Sequence, residues 1–306
     1  MRLAALVLSV DEAERLQTSL PPAVAQADEV LVVDNACTDA TVAVARHAGA
    51  QVLALPRRLS YAEAMNAGLA GLGSAADAVL LLNADCVLEE GFVAAAAGGL
   101  ADPGVGSVAP LLVRATNTEE VDAAGMTIDR RRKNSLVGHG EPVERWARAH
   151  GEAFGADGAC ALYRRAVLEA LGPEVFDEDL ALWATDADVA WRARALGWRC
   201  AYVPQARARH VRFYSPTNRP RVAAAHRRLQ FRNRLLMIVK NERPAALLRD
   251  LPWIALYELL ALGYTVLREP SLLPGYWQAA RLAPRIARKR RRDTCARIPF
   301  GLTPSG

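Results

Sequence analysis

Two acidic motifs sit where a cleft would form. Leu81-Leu82-Asn83-Ala84-Asp85 closes the apolar run Ala78 to Leu82, and Thr185-Asp186-Ala187-Asp188 precedes a helix-like stretch ending at Gly197. A carboxylate at the carboxyl end of a buried parallel strand stands where open α/β sheets hold ligands. Asn83 and Asp85 offer hard oxygens suited to Mg²⁺ or Mn²⁺ carrying a diphosphate; the plainer alternative has Asp85 capping a helix that starts near Glu89. Asp186 and Asp188 repel one another, so one is a candidate for a raised pKa and for work as a base; alternatively, both simply favour a helix N-terminus. Asp34 ends the apolar run Val30–Val33, where its carboxylate could accept hydrogen bonds from a base or ribose, or cap the next helix. His210 would add a nitrogen to a metal site begun by Asp85, although a lone histidine is more often structural or exposed.

These residues need a scaffold, and the first hundred residues describe one. Apolar runs at Leu3–Val10, Val30–Val33, Gln51–Leu55 and Ala78–Leu82 alternate with amphipathic stretches of helix length. Strands that are apolar throughout imply a parallel sheet covered on both faces. The first helix, from Glu12 to Leu20, is expected to stop at Pro21-Pro22; Asp39 is placed to cap a second that runs to about Ala48. Ser60-Tyr61-Ala62-Glu63 has the capping-box spacing for a third, reaching about Leu72. Val105–Arg114 reads as a strand. Residues 115–150, with the run Arg130-Arg131-Arg132-Lys133, lack periodicity and read as an excursion over the substrate side. Phe154–Tyr163 then reads as a strand, Arg165–Leu171 and Asp186–Leu196 as helices, and Cys200–Val203 as a strand. Ala223–Lys240 is a basic helix pattern containing Arg232-Asn233-Arg234.

The 306 residues carry a net charge of +5, but unevenly. Residues 1–206 hold 17 basic and 28 acidic side chains, and residues 207–306 hold 21 and 5, giving −11 and +16. The basic third calls for an anionic partner. Mean hydropathy of +0.04 excludes a multispan membrane protein. Leu251–Leu267 is almost wholly apolar, with Glu258 as its one charge, yet its 17 residues are marginal for a span. It is expected either to dock on lipid together with the basic tail Arg285–Arg292 or to pack on the catalytic domain. Five cysteines without paired spacing fit a reducing compartment, and Met1–Val10 reads as a first strand rather than a signal peptide.

The order and spacing of the motifs resemble the family 2 glycosyltransferases, which have the GT-A fold. Val32-Val33-Asp34-Asn35 to Asp39 resembles their VVDN-x-S-x-D segment, Asn66-Ala67-Gly68 the end of their GFAxxxNxGI loop, and Leu81 to Asp85 their LLNPD version of DxD. Gly155-Ala156-Asp157-Gly158 to Arg164-Arg165 resembles the acceptor-side GAxxxxRR segment. Phe176-Asp177-Glu178 with Thr185 to Arg192 resembles FDExFFxxxEDxDLxxR, and Tyr202-Val203-Pro204 to His210 resembles YVPxAxxxH. The resemblance covers about residues 3–240 and is nearest a bacterial rhamnosyltransferase-like branch. Departures include Asp11 for an asparagine, Ala84 for a proline and Thr185 for the glutamate before Asp186.

The resemblance implies a mostly parallel, Rossmann-like sheet with helices on both faces over residues 1–215. Its nucleotide-binding half would be 1–110 and its acceptor-side half 111–215, with a helical basic extension over 216–306. Asp34, Asn35, Asn66, Asn83 and Asp85 would contact the nucleotide-sugar. Asp85 and His210 would hold Mg²⁺ or Mn²⁺, and Asp186 would be the base of an inverting transfer. Asp157, Gly158, Asp188 and Arg192 would lie on the acceptor side. The donor would be dTDP-rhamnose or a UDP-sugar and the acceptor a saccharide or lipid-linked saccharide; the enzyme would be cytoplasmic, at the inner face of the plasma membrane, and serve cell-surface polysaccharide or glycolipid synthesis. The alternatives are a sugar nucleotidyltransferase, which would need a glycine-rich loop that Ala4–Leu16 lacks, and a catalytically silent binding protein. Nucleic acid is not expected, because aromatic residues are not interleaved with the basic tail.

Overall fold

The computed structural model describes residues 1–73, 75–212, 222–290 and 297–305. Part of the basic tail, residues 291–292, and Cys295 lie outside the described residues.

Four parallel strands make the first half of the sheet: β1 (Leu3–Ser9), β2 (Glu29–Asp34), β3 (Gln51–Ala54) and β4 (Ala78–Asn83), in the order β3-β2-β1-β4. Successive side chains point to opposite faces of a strand. On β1, therefore, Ala4, Leu6 and Leu8 enter one core while Leu3, Ala5 and Val7 enter the other. Two cores on one strand explain why the sequence shows continuous apolar runs. The chain steps outward from β1 to β2 and β3, then returns to the other side of β1 with β4. That reversal opens a crevice beyond the carboxyl ends of β1 and β4.

Helices α1 (Ala13–Gln26), α2 (Thr41–His47) and α3 (Tyr61–Gly71) connect these strands. The capping box at the start of α3 forms as its spacing predicts. Asp39 accepts the N–H groups of Thr41 and Ala13 at 3.0 and 2.8 Å, so one carboxylate serves the first turns of both α1 and α2. The prolines do not stop α1, contrary to expectation: Pro21 and Pro22 lie inside it. The buried stripe Leu16, Leu20 and Ala23 continues through them, and tertiary burial outweighs the lost hydrogen bonds. At Gly68 an added Cβ would lie 2.7 Å from Leu6 and Val33, so the glycine permits close packing of α3 on the sheet.

The second half of the sheet brings more chain to the same edge. After β5 (Cys86–Leu88) and α4 (Phe92–Gly98) comes β6 (Val105–Arg114), then, far along the chain, β11 (Cys160–Arg164) and β12 (Arg199–His210). Strand β11 runs antiparallel between β4 and β6, and β12 is parallel to β6. Reversing one strand places the residues before β11 beside the residues after β4. Strand β12 is far longer than the expected Cys200–Val203. It passes Pro204 through a register shift between Val203 and Arg207 and then pairs His210 opposite Cys86.

Residues 115–150 are not an unstructured excursion. They form β7 (Asn117–Ala123) against β6, a hairpin of β8 (Met126–Ile128) and β9 (Asn134–Leu136), and α5 (Val143–Arg148). Charged residues on the open side of β7 hide its alternation, while Val121, Asp122 and Ala123 are buried. The expected strand Phe154–Tyr163 forms only at its end, as β11; a short β10 (Glu152–Ala153) precedes it, and a turn at Asp157–Ala159 lies between the two.

After α6 (Arg165–Leu171) and α7 (Thr185–Ala195), three helices complete the chain: α8 (Ala224–Asn241), α9 (Pro244–Arg268) and α10 (Leu273–Arg288). Ion pairs lock them to the sheet domain. Lys240 of α8 binds Asp177 at 2.6 Å and Asp188 at 2.9 Å. Lys289, just past α10, binds Glu174, Asp177 and Asp179 within 2.8 Å. Arg132, from the basic run, is wholly buried between Glu242 and Asp250 and lies 3.7 Å above the Phe300 ring. No described helix is long and apolar enough to cross a membrane.

Candidate active site

The crevice edge gathers Asp34 from β2, Asp85 after β4, Asp157 and Gly158 before β11, and His210 at the end of β12. Asp85 does not cap α4, which starts at Phe92 after Gly91. Instead its carboxylate lies 3.3 Å from His210 Nε2 and 3.8 Å from the Arg15 guanidinium. His210 Nδ1 is 2.8 Å from Asp122 Oδ2, and Asp122 is fully buried. Burial opposes charge on this imidazole, but Asp122 and Asp85 prevail and push its pKa up to about 10. Burial likewise opposes charge on Asp122, yet His210 and Arg212 pull its pKa down to about 2. A carboxylate behind one ring nitrogen is the arrangement that orients a metal-ligating histidine toward its metal. The oxygen of Asp85 and Nε2 of His210 are thus placed where they could hold a divalent cation.

Arg212 extends the network. It donates to Asp122 at 2.6 and 2.8 Å and is also paired with Asp157. Burial works against the guanidinium charge, but the two carboxylates hold its pKa above the usual value. Asp157 in turn adds negative charge beside Asp186.

Asp186 opens α7 and is half-buried. It accepts N–H bonds from Gly158 at 3.2 Å and Ala187 at 2.8 Å. Burial, and then the charge of Asp157, push its pKa up to about 6, against the pull of those two bonds. Tyr61 lies near enough for Asp186 and Asp157 to add to the burial that raises its own pKa. Helix α7 approaches closely because Gly155 has no side chain; a Cβ there would lie 2.4 Å from Ala190.

The two aspartates of the second motif face different surroundings. Asp188 is fully buried and binds Arg192 at 2.8 Å, Lys240 at 2.9 Å and Asn241 at 2.7 Å. Burial alone would raise its pKa, but these partners hold its carboxyl well below the usual range. Arg192 is committed to Asp188 and to the Val175 carbonyl. Both residues therefore tie α7 to α8 and to the loop before it.

Other expected contacts are occupied by the protein itself. Asp34 Oδ1 accepts the Cys37 N–H at 2.8 Å. Asn35 exchanges two hydrogen bonds with the backbone of Leu59, at 2.8 and 3.0 Å. Asn66 does the same with Phe176, at 2.9 and 2.8 Å. Asn83 lies half-buried at the end of β4, with its N–H on the Ala159 carbonyl at 2.9 Å. Asp34, Asn35 and Asn66 thus shape the loops around the crevice.

A cavity of about 630 Å³ opens beyond β1, lined by Val10–Arg15, Asp39 and Ala40. At its rim Asp11, Cys37 and Asp39 bring three ligand atoms within 4.8 Å of one another. Their carboxylates already serve Thr38, Arg58, Thr41 and Ala13 within 3.0 Å, which makes the group a staple between loops. With four carboxylates to one arginine, this cavity repels a bare diphosphate.

Sequence reasoning missed Asp122, Arg212 and Asn233. Asn233, fully buried on α8, donates to the carbonyls of Leu180, Leu182 and Trp183 at 2.7, 2.7 and 2.9 Å. Arg232 adds bonds to Asp179 and Leu180. This clasp holds the loop leading into α7, where Ala181, Trp183 and Ala184 all have positive φ. Such conformations persist only where the surroundings enforce them.

The chain matches the family model described as "Glycosyltransferase like family 2" over residues 2–234. No curated protein matches it significantly. Among solved structures, GalNAc-T7 crystallised with UDP, GalNAc and Mn²⁺ has a TM-score of 0.61 at 14% identity, covering 78% of this chain and 47% of that one. S. aureus TarS has a TM-score of 0.62 at 15% identity, covering 94% and 49%. The chain thus spans about half the length of these two. TarS residues 1–349 in complex with UDP-GlcNAc give 0.61 at 14% identity, covering 95% and 84%. At these identities the likeness shows the fold.

Proposed function

The chain belongs to glycosyltransferase like family 2, and on that premise we propose that it moves a sugar from a nucleoside-diphosphate sugar to an acceptor hydroxyl with inversion. The donor is dTDP-rhamnose or a UDP-sugar, and the acceptor a saccharide or a lipid-linked saccharide. Supporting a nucleotide-sugar donor, the fold neighbours include a structure bound to UDP-GlcNAc and another holding UDP and Mn²⁺.

Asp186 accepts the proton of the acceptor hydroxyl as that oxygen attacks the anomeric carbon. The bond from that carbon to the diphosphate oxygen breaks, and its electron pair leaves with the nucleoside diphosphate. One displacement inverts the centre and forms no covalent enzyme intermediate. A base titrating near 6 is ionised at neutral pH yet still basic enough to take a proton. The Gly158 and Ala187 N–H groups orient its carboxylate.

Asp85 and His210 would hold Mg²⁺ or Mn²⁺, with Asp122 fixing the imidazole. When bound, the cation supplies charge stabilisation for the diphosphate. Asp188 and Arg192 act on the acceptor side through position, by fixing α7 rather than by touching the sugar.

The observation that carries the reading is the unbroken chain Asp85–His210–Asp122–Arg212–Asp157 reaching Asp186. It links a cation site to a carboxylate with a raised pKa at one crevice edge. A thermal-shift screen of nucleotide sugars with and without Mn²⁺ tests it: stabilisation by one donor only when Mn²⁺ is present is expected, and no response to any donor counts against it.

A further inference from the structure

Helix α9 meets the rest of the protein on one narrow side. Ile254 and Thr265 are buried, Tyr257 and Ala261 half-buried, and Glu258 on the same side pairs with Arg234. The first two turns are clamped separately, by buried Asp250 on Arg130 and Arg132, but from Leu251 to Leu267 the other side chains are exposed and apolar. Leu259, Leu260 and Leu267 are 67%, 64% and 81% exposed, and Leu251, Leu256 and Tyr264 are exposed as well. At 100° per residue these six cover an arc of about 220°. A seam between packed helices needs a stripe of roughly 100°. An arc twice that width suits immersion in a fluid apolar phase better than contact with a second copy of this chain.

The surroundings are basic and aromatic. Arg130 and Arg131 are half-exposed beside the helix, stacked 5.7 Å from the Trp253 ring and 5.6 Å from the Tyr257 ring. Arg268 is exposed at its end, and exposed Trp277 and Arg281 stack on the neighbouring α10. Aromatic rings and long basic side chains at the border of an apolar surface match the boundary between acyl chains and headgroups. The helix does not meet the length and hydropathy of a span, so it would lie in that boundary.

We propose that the exposed face of α9, with its arginine border, docks this protein on an anionic lipid bilayer, lying in the interface without crossing it. The docking is independent of the sugar transferred, since it can be read without donor or acceptor.

The test is sedimentation of the full chain with vesicles of phosphatidylglycerol and phosphatidylcholine in equal parts, and with phosphatidylcholine alone. The parent is expected to pellet with the anionic vesicles, less so at high salt and only weakly with the neutral ones. Leu259→Glu with Leu260→Glu, both on open surface, should lower the partition coefficient at least about tenfold while leaving the melting temperature unchanged. Leu267→Glu provides a milder variant with an effect in the same direction. Equal pelleting of parent and variants, or a parent that stays in the supernatant, overturns the proposal. So does a dimer, seen by light scattering, that the double variant dissociates while vesicle binding is absent; the face would then belong to a second copy.

Discussion

His210 Nε2 lies 3.3 Å from Asp85 Oδ1, and the opposite ring nitrogen is anchored at 2.8 Å by buried Asp122. Strand β12 delivers the histidine by pairing with the short strand that follows Asp85. The geometry of this pair is therefore fixed by sheet register rather than by a loop.

Asp85→Ala removes the oxygen from that pair. Calorimetric titration with a nucleotide sugar should show Mn²⁺-dependent affinity in the parent and lose it in the variant, by about 10- to 100-fold or more. Affinity that is the same in parent and variant, with and without EDTA, would refute the cation role.

As the proposed base, Asp186 would give the reaction an acid limb. Its pKa is raised to about 6, so the base is protonated below that pH and ionised above it. The value of kcat/KM should fall about tenfold per unit below pH 6 and level off above it. The stability sign is opposite: a raised carboxyl pKa favours the fold below the ordinary value of 3.8, and that contribution is lost as pH rises through about 6. A rate profile flat between pH 5 and 7 would contradict the assignment; both bounds are about one unit from the expected pKa.

Asn233 positions the loop that carries Asp186. Replacing it with alanine removes one donor from each of three carbonyls of a positive-φ loop, and Arg232 still reaches that of Leu180. The expected result is a kcat lowered by roughly one to two orders of magnitude with donor KM nearly unchanged, because the loop sets the base and not the nucleotide. Parallel changes in donor KM and melting temperature, with kcat preserved, would mark it as purely structural.

The parts of the molecule visible in its sequence are those governed by local pattern. Continuous apolar runs located β1, β2 and β4, and the Ser60–Glu63 spacing located α3. Asp85, Asp186 and His210 stand out by type and position, and the fold brings Asp85 and His210 together. Asp122 was hidden because its significance depends on β7 pairing with β6, a long-range event; the available signal was one carboxylate between Val121 and Ala123 in an alternating stretch. Asn233 was hidden for a similar reason: within a basic helix it reads as surface, but α8 turns it inward. Asp188 looked equivalent to Asp186, and only packing against Lys240 and Arg192 separates its buried ion pairs from the raised pKa of Asp186. Pro21-Pro22 misled in the other direction, since local breaker chemistry yielded to the buried stripe of α1.

The central claim is that Asp186 takes the acceptor's proton in a glycosyl transfer. It is tested most directly by Asp186→Asn, assayed for turnover and donor binding on the same preparation. The account predicts turnover reduced by about 10²–10⁴-fold, donor affinity nearly unchanged and a melting temperature at or above the parent's. Turnover equal to the parent's in a folded variant would contradict it.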